Sequence, residues 1–173
     1  MTLSLAELDR LSRSEAGEHL RACCGSSRWV ELMLAARPFG GIETALAAAD
    51  RAWQACEPAD WDEAFAHHPR IGERHAAAPV GAVASGWSAG EQGAAARGDA
   101  GTRAALAEAN AAYERRFGRI YIVCATGRSA EDLLADIEAR MGNDPERERA
   151  VAAEEQRKII RLRLLKLLGA EPT

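Results

Sequence analysis

Two adjacent histidines, His67 and His68, stand directly before Pro69 in the stretch AHHPRIGE at 66–73. An imidazole changes its charge near neutral pH, so it can donate or accept a proton in catalysis. Proline disfavours the helical conformation for the residue before it. We therefore expect His67 to lie on a helix and His68 to lie just past the C-terminal end of that helix. The negative end of the helix dipole favours an imidazolium there.

His68 is thus a candidate general acid. The alternative is that His68 only caps the last carbonyl groups of the helix or lies in solvent. His67, His68 and His75 do not have the spacing of a known zinc site, so the sequence predicts no metal site.

A carboxylate and an amide stand side by side in SAGEQ at 88–92. Ser88 and Glu91 have the spacing of a capping box, which is typical of a helix N-terminus and could by itself explain both residues. The free amides of a helix N-terminus can also bind an anion or a polar ligand. Glu91 and Gln92 would then lie beside that ligand, and both interpretations stay open.

A cation is the third candidate, in KIIRLRLLKLL at 158–168. Apolar residues point in nearly every direction of this helical pattern, which predicts a buried helix. Arg163 falls between Ile159 and Leu167 in the projection, and a buried guanidinium needs an anionic partner. The partner could be a structural acid or a ligand carboxylate. Lys166 has similar apolar flanks, so periodicity does not single out Arg163.

Length and composition limit the class of protein. A chain of 173 residues predicts one domain, 1–173, and 47% hydrophobic with 28% charged residues is an ordinary soluble balance. The net charge of −4 gives no general attraction to nucleic acid or to anionic membranes. No apolar run approaches about 20 residues, so we expect no membrane span.

The cell compartment is predicted from the N-terminus and the cysteines. MTLSLAELDRLS carries acids early and lacks a long apolar run, unlike a signal peptide. Cys23, Cys24, Cys56 and Cys124 form no CxxC pair. We interpret them as reduced thiols and expect a cytoplasmic protein.

Capping patterns, prolines and glycines predict the elements that must position these residues. The predicted N-caps are Ser4, Ser27, Asp60, Ser88, Ser129 and Asp144, and the predicted breakers are Pro38, Pro69, Gly118, Gly142 and Gly169. Further helices are predicted at 15–24, after Gly41 and at 101–116. Residues 74–87 are expected to form a loop, and RIYIVCATG at 119–127 has a β-like composition. The fold class predicted is all-α, a single compact bundle of about eight helices with irregular connectivity.

Four motifs in this order resemble the OHCU decarboxylase family. They are HPRIG at 68–72, SAGEQ at 88–92, LAEANAAYERRFGRIYIVCATGRS at 106–129 and EEQRKIIRLRLLKL at 154–167. The resemblance implies an all-α homodimer that acts as a carboxy-lyase in urate degradation. The reaction implied converts 2-oxo-4-hydroxy-4-carboxy-5-ureidoimidazoline (OHCU) to (S)-allantoin and carbon dioxide without a cofactor.

The resemblance also implies roles for particular residues. The family's acid histidine falls on His68, and Glu91 and Arg163 complete the implied catalytic set. The implied substrate-binding residues are Pro69, Ser88, Gln92, Arg119, Ile120, Tyr121, Ile122 and Val123. Two other hypotheses remain from the sequence. One is a helical interaction module or inactive relative with a structural histidine and arginine, and the other is a metal-dependent hydrolase that uses the histidines.

Overall fold

The structure is a computed structural model that describes residues 2–71, 87, 90, 91, 93 and 97–170. It confirms the all-α prediction, because these residues form helices and no strand. Eight helices have defined bounds in this part of the chain. They are α1 (Leu5–Arg10), α2 (Arg13–Cys23), α3 (Ser27–Ala35), α4 (Ile42–Gln54), α5 (Pro58–Ala66), α6 (Ala100–Phe117), α7 (Ala130–Arg140) and α8 (Pro145–Leu167).

Local capping signals begin several of these helices as predicted. Ser4 and Ser129 each form a capping box with the residue three positions later. Asp144 accepts a hydrogen bond from the backbone N–H of Arg147 at 2.9 Å, and α8 starts at the proline between them. A further capping box, Ser12 with Glu15, begins α2, and its S-x-x-E pattern was equally readable in the sequence.

Two predicted N-caps are wrong. Helix α3 is capped by Ser26, whose hydroxyl accepts from the Trp29 N–H, and not by Ser27. The backbone and hydroxyl of Ser27 instead donate to the carboxylate of Glu63 at 2.8 and 2.7 Å. Helix α5 begins at Pro58, since proline suits the first helical position, and not after Asp60. Asp60 lies in the first turn and accepts from the Glu57 N–H at 2.8 Å.

Contacts between residues divide the chain into two compact units, and each boundary lies within a helix. The first unit comprises residues 1–64 and 157–173. Its largest fully buried side chain is Trp29, whose indole N–H donates to the Ala49 carbonyl oxygen at 3.1 Å. The Leu3 N–H donates to the Leu167 carbonyl oxygen at 2.8 Å, so the N-terminal segment is held to the end of α8.

The second unit comprises residues 65–156. Helices α6 and α7 pack together in it. The apolar side chains of its core are Ile71, Leu106, Tyr113, Tyr121, Val123, Ala125, Leu133 and Ile137. Helix α6 ends as predicted at Gly118, which has a left-handed φ of 69° that glycine adopts easily. Residues 119–127 form no strand despite their composition.

No helix in the described ranges is long and apolar enough to span a membrane. The predicted loop at 74–87 lies outside the described residues, apart from Trp87, which is helical.

We predict that Ser129→Ala lowers the free energy of unfolding by about 1 kcal/mol, because it removes the N-cap of α7. Urea denaturation monitored by circular dichroism measures this change. Ser129→Asp is the matched control and should stay close to wild type, since aspartate caps helices as well as serine does. Equal stability of the alanine variant and wild type would mean that this cap does not stabilise α7.

Candidate active site

His68 lies two residues beyond the last residue of α5, Ala66. Its backbone N–H donates to the Phe65 carbonyl oxygen at 3.1 Å, which closes a tight turn at the helix end. Pro69 follows and has no N–H with which to continue the helix. The predicted position of His68 is therefore confirmed. His67 lies in the turn as well, and our expectation that it would still be on the helix is wrong.

The chain directly after the candidate acid is fixed to α6 at two points. Arg70 forms a two-point ion pair with Glu114, with Nε to Oε1 at 2.5 Å and Nη2 to Oε2 at 2.9 Å. The carbonyl oxygen of the buried Ile71 accepts from the side-chain amide of Asn110 at 3.2 Å. Both contacts limit how far the backbone at His68 can move.

The irregular segment after α6 runs beside α8. The guanidinium of Arg119 donates to the carbonyl oxygen of Pro145 at 3.5 Å, at the start of α8. The N–H of Cys124 donates to the carboxylate of Glu155 at 2.8 Å. Since Pro145 and Glu155 are about 15 Å apart along the helix axis, the segment follows α8 in the same direction.

Most backbone N–H and C=O groups of this segment form no hydrogen bond to the rest of the described chain. Residues 121–123 are buried, and the carbonyl oxygen of Ile122 accepts from Nη1 of Arg140 at 2.9 Å. Within the described part of the chain, this is the one hydrogen bond to the backbone of residues 120–123. Buried backbone groups in proteins are nearly always paired. The other N–H and C=O groups here can therefore bind water or a ligand.

A buried ion pair holds Arg140 in place. Glu148 is fully buried, and its Oε1 accepts from Nε and Nη2 of Arg140 at 2.9 and 2.6 Å. The same oxygen accepts from the Tyr113 hydroxyl at 2.5 Å, and Oε2 accepts from the Asn143 amide at 2.7 Å. The Arg140 guanidinium also lies 4.7 Å from the ring centroid of Tyr121.

The pKa values in this network favour a structural role. Burial, reinforced by the hydrogen bond to Glu148, raises the pKa of Tyr113. Burial and the carboxylate of Asp136 likewise raise the pKa of Tyr121. Burial alone would lower the pKa of Arg140, but the hydrogen bond and charge of Glu148 raise it. Both phenols therefore stay protonated and act as fixed hydrogen-bond donors at neutral pH.

Glu91 is helical and half-buried, and it belongs to the second unit, as do His68 and residues 119–123. Ser88 and Gln92 lie outside the described residues, and so does His75. The capping box of Ser88 with Glu91 therefore stays a prediction.

Arg163 belongs to the first unit, on the C-terminal half of α8. It is buried, as the helical projection predicts, with 4% of its surface exposed. Arg157 and Arg161 on the same helix are only half-buried, and both bind Asp50, at 3.0 and 2.6 Å. Lys166 is also half-buried, so burial distinguishes Arg163 where periodicity did not.

The cysteines are all free, and Cys23, Cys24 and Cys56 are buried. Burial raises the pKa of Cys24, and it raises the pKa of Cys56 to about 11. These two thiols are therefore protonated at neutral pH, and a protonated thiol is a poor nucleophile. Among the residues that the structure describes, no three His, Cys, Asp or Glu side chains form a group that could hold a metal ion.

Gln156 on α8 is a polar residue that the sequence reasoning missed. It is fully buried, and within the described part of the chain neither its Nε2 nor its Oε1 has a hydrogen-bond partner. Each such unpaired atom costs roughly 1–3 kcal/mol. The sequence could have indicated that Gln156 is buried, because a helical projection puts it on the same side of the helix as the buried residues Ala152, Ala153, Ile159 and Ile160.

These features define an all-α protein with a candidate acid–base residue at a helix end and an irregular segment whose backbone can bind a ligand. A family model described as OHCU decarboxylase matches residues 9–165. The chain therefore belongs to the OHCU decarboxylase family.

Two curated relatives support this assignment. The chain is 36% identical over 160 residues to the uric acid degradation bifunctional protein TTL of Arabidopsis thaliana, a match that covers 90% of this chain and 48% of the relative. It is 39% identical over 75 residues to the 2-oxo-4-hydroxy-4-carboxy-5-ureidoimidazoline decarboxylase of Amia calva, covering 43% of each chain. The matched part is thus less than half the length of either relative.

Solved structures share the fold. A crystal structure of OHCU decarboxylase in the presence of (S)-allantoin superposes with a TM-score of 0.75 at 34% sequence identity, covering 88% of this chain and 98% of that one. A crystal structure of (S)-allantoin synthase superposes with a TM-score of 0.70, covering 96% of this chain and 54% of that one. Its identity is 19%, so this second likeness concerns the fold alone.

We predict that Arg140→Met destabilises the protein by about 3–5 kcal/mol, because it leaves the buried carboxylate of Glu148 without its cation. Guanidinium denaturation measures the change. Arg128→Met is the matched control, since Arg128 pairs with Asp136 near the surface and such pairs contribute about 0–1 kcal/mol. Similar losses in both variants would contradict a special role for the buried pair.

Proposed function

We propose that this protein is a carboxy-lyase of urate degradation that converts OHCU to (S)-allantoin and carbon dioxide without a cofactor. The observation that carries the proposal is that His68 lies directly beyond the end of α5, in a chain of which residues 9–165 match the OHCU decarboxylase family. The names of the relatives and of the superposed crystal structure, which include OHCU decarboxylases and a uric acid degradation protein, support the substrate.

The chemistry explains why acid–base and binding groups suffice. The carboxylate of OHCU is attached to a carbon that also bears a hydroxyl, and the neighbouring ring carbon forms a carbon–nitrogen double bond. When the bond to carbon dioxide breaks, its electron pair can move into that double bond. The substrate thus supplies its own electron sink, and the protein must hold the carboxylate, orient the ring and deliver a proton to one face.

We assign the proton transfer to His68, and the two contacts of Arg70 and Ile71 to α6 support this role because they restrain the backbone beside it. Donation from one side only would yield one enantiomer of allantoin. A general acid held in place contributes about 10²–10⁴-fold to a rate.

The binding roles follow from charge and hydrogen-bonding capacity. Arg163 would bind an anionic group of the substrate, because a guanidinium can hold a carboxylate through two parallel hydrogen bonds. Glu91 would accept hydrogen bonds from the hydroxyl or ureido group. Ser88, Gln92 and Pro69 are assigned to the substrate on the resemblance, together with Arg119, Ile120, Tyr121, Ile122 and Val123. The largely unused backbone of the 120–123 segment supports its part in binding.

We further propose that residues 1–173 act as one catalytic domain that forms a cytoplasmic homodimer. The family match spans both compact units, which supports a single functional domain. The four free cysteines are typical of a reducing compartment.

We expect the purified protein to accelerate the disappearance of freshly generated OHCU and the appearance of (S)-allantoin, followed by circular dichroism. The rate should be unchanged by a chelator, since no assigned step uses a metal ion. No acceleration over the spontaneous reaction would contradict the proposal and favour an inactive relative or interaction module. Loss of activity with the chelator would favour a metal-dependent reaction.

We expect His68→Ala to lower kcat by about 10²–10⁴-fold because the proton donor is lost. His67→Ala is the matched control, since it removes the same side chain one residue earlier, and its kcat should stay within a few-fold of wild type. Far-UV circular dichroism and melting temperature check that both variants fold. If His67→Ala loses activity and His68→Ala keeps it, the assignment of the acid is wrong.

A further inference from the structure

Gln156 has more unused hydrogen-bonding capacity than the other buried side chains. Among the residues that the structure describes, it is the one whose buried donor and buried acceptor both lack a partner. At other buried side chains only a single N–H group lacks a partner, as on Arg37, Trp61 and Arg119. Such groups in native proteins call for an explanation, and a missing ligand is one.

Another buried side-chain amide in the same unit, that of Asn110, does have hydrogen-bond partners. Asn110 is buried too, and its side-chain amide donates to the carbonyl oxygens of Ile71 and Leu106 at 3.2 and 3.0 Å. Gln156 does not form the corresponding bond to the carbonyl oxygen of Ala152, four residues before it on its own helix. A methionine at this position would fill a similar volume without unpaired polar atoms. The glutamine therefore lowers the stability of the protein without ligand.

Gln156 lies on α8, the helix that the 119–123 segment follows. It follows Glu155, whose carboxylate accepts the Cys124 N–H at the end of the 119–123 segment. In that segment, most backbone N–H and C=O groups have no hydrogen-bond partner among the described residues. Gln156 and this segment belong to the second unit.

We propose that Gln156 binds the ureide portion of the substrate, an inference that rests on the proposed function. A primary amide presents an N–H donor and a C=O acceptor side by side. A ureide presents the same two groups, in the ring and in the ureido side chain of OHCU. The two can therefore form a pair of hydrogen bonds, and a buried site built in this way strongly rejects ligands that lack either group.

Gln156→Met tests this role. Without ligand, the variant should melt at least about 4 °C above wild type, because two unpaired buried atoms are gone. Its KM for OHCU should rise about tenfold, because two hydrogen bonds to the substrate are lost, while kcat changes little. Gln54→Met is the matched control, since Gln54 is exposed at the end of α4, and neither its KM nor its melting temperature should change.

Binding of the product gives a second measurement that does not depend on turnover. (S)-Allantoin should raise the melting temperature of wild type and raise that of Gln156→Met less, and Gln156→Leu serves if the methionine variant does not fold. A wild-type KM and a wild-type shift with allantoin in the variant would overturn the inference. A lower melting temperature with unchanged KM would also overturn it, because the amide would then be structural. Inactivity of the wild type towards OHCU, by contrast, would contradict the proposed function itself.

Discussion

The second unit depends on the buried ion pair of Glu148 with Arg140. One carboxylate oxygen of Glu148 receives three hydrogen bonds, two from the guanidinium and one from the Tyr113 hydroxyl. It thereby connects α6, α7 and α8. A buried pair of this kind is stabilising only if nearly all of its polar atoms are satisfied, and the amide of Asn143 satisfies the second oxygen. Nη1 of Arg140 then donates to the Ile122 carbonyl oxygen and to the carboxylate of Asp136.

This arrangement explains how an irregular segment can lie in the interior without a sheet. Among the described residues, the segment is held by side chains, namely Arg140 at its centre and Glu155 at its end, and not by a partner strand. Helix α6 also holds the chain beside His68, through Glu114 and Asn110. The same helix therefore supports both the candidate acid and, through Tyr113, the network behind the candidate binding segment. Rigid support of this kind limits the motion of groups that must meet a substrate.

Much of the fold was predictable because its signals are local. A serine or aspartate at the N-cap and an acid three residues later act within one turn, so Ser4, Ser129 and Asp144 were correctly identified. The predictions at Ser27 and Asp60 failed for a reason that is not local. Glu63, expected to pair with Asp60, receives two hydrogen bonds from Ser27, which is 36 residues away.

The candidate site likewise has features that local signals predicted and features that they did not. His68 was recognisable because Pro69 must end the helix there, and the helical projection correctly predicted that Arg163 is buried. The composition of residues 119–127 predicted a β-like segment, but no neighbouring strand pairs with it in the described chain, and strand formation requires such a neighbour.

By itself, the sequence determined the helical class, most helix ends and the family resemblance, since these depend on spacing along one chain. The tertiary structure decided which polar groups are paired. It pairs Arg70 with Glu114 and Arg140 with Glu148, and it leaves the amide of Gln156 buried without a partner among the described residues. Pairing depends on distances between residues far apart in the chain, and no local pattern encodes those distances.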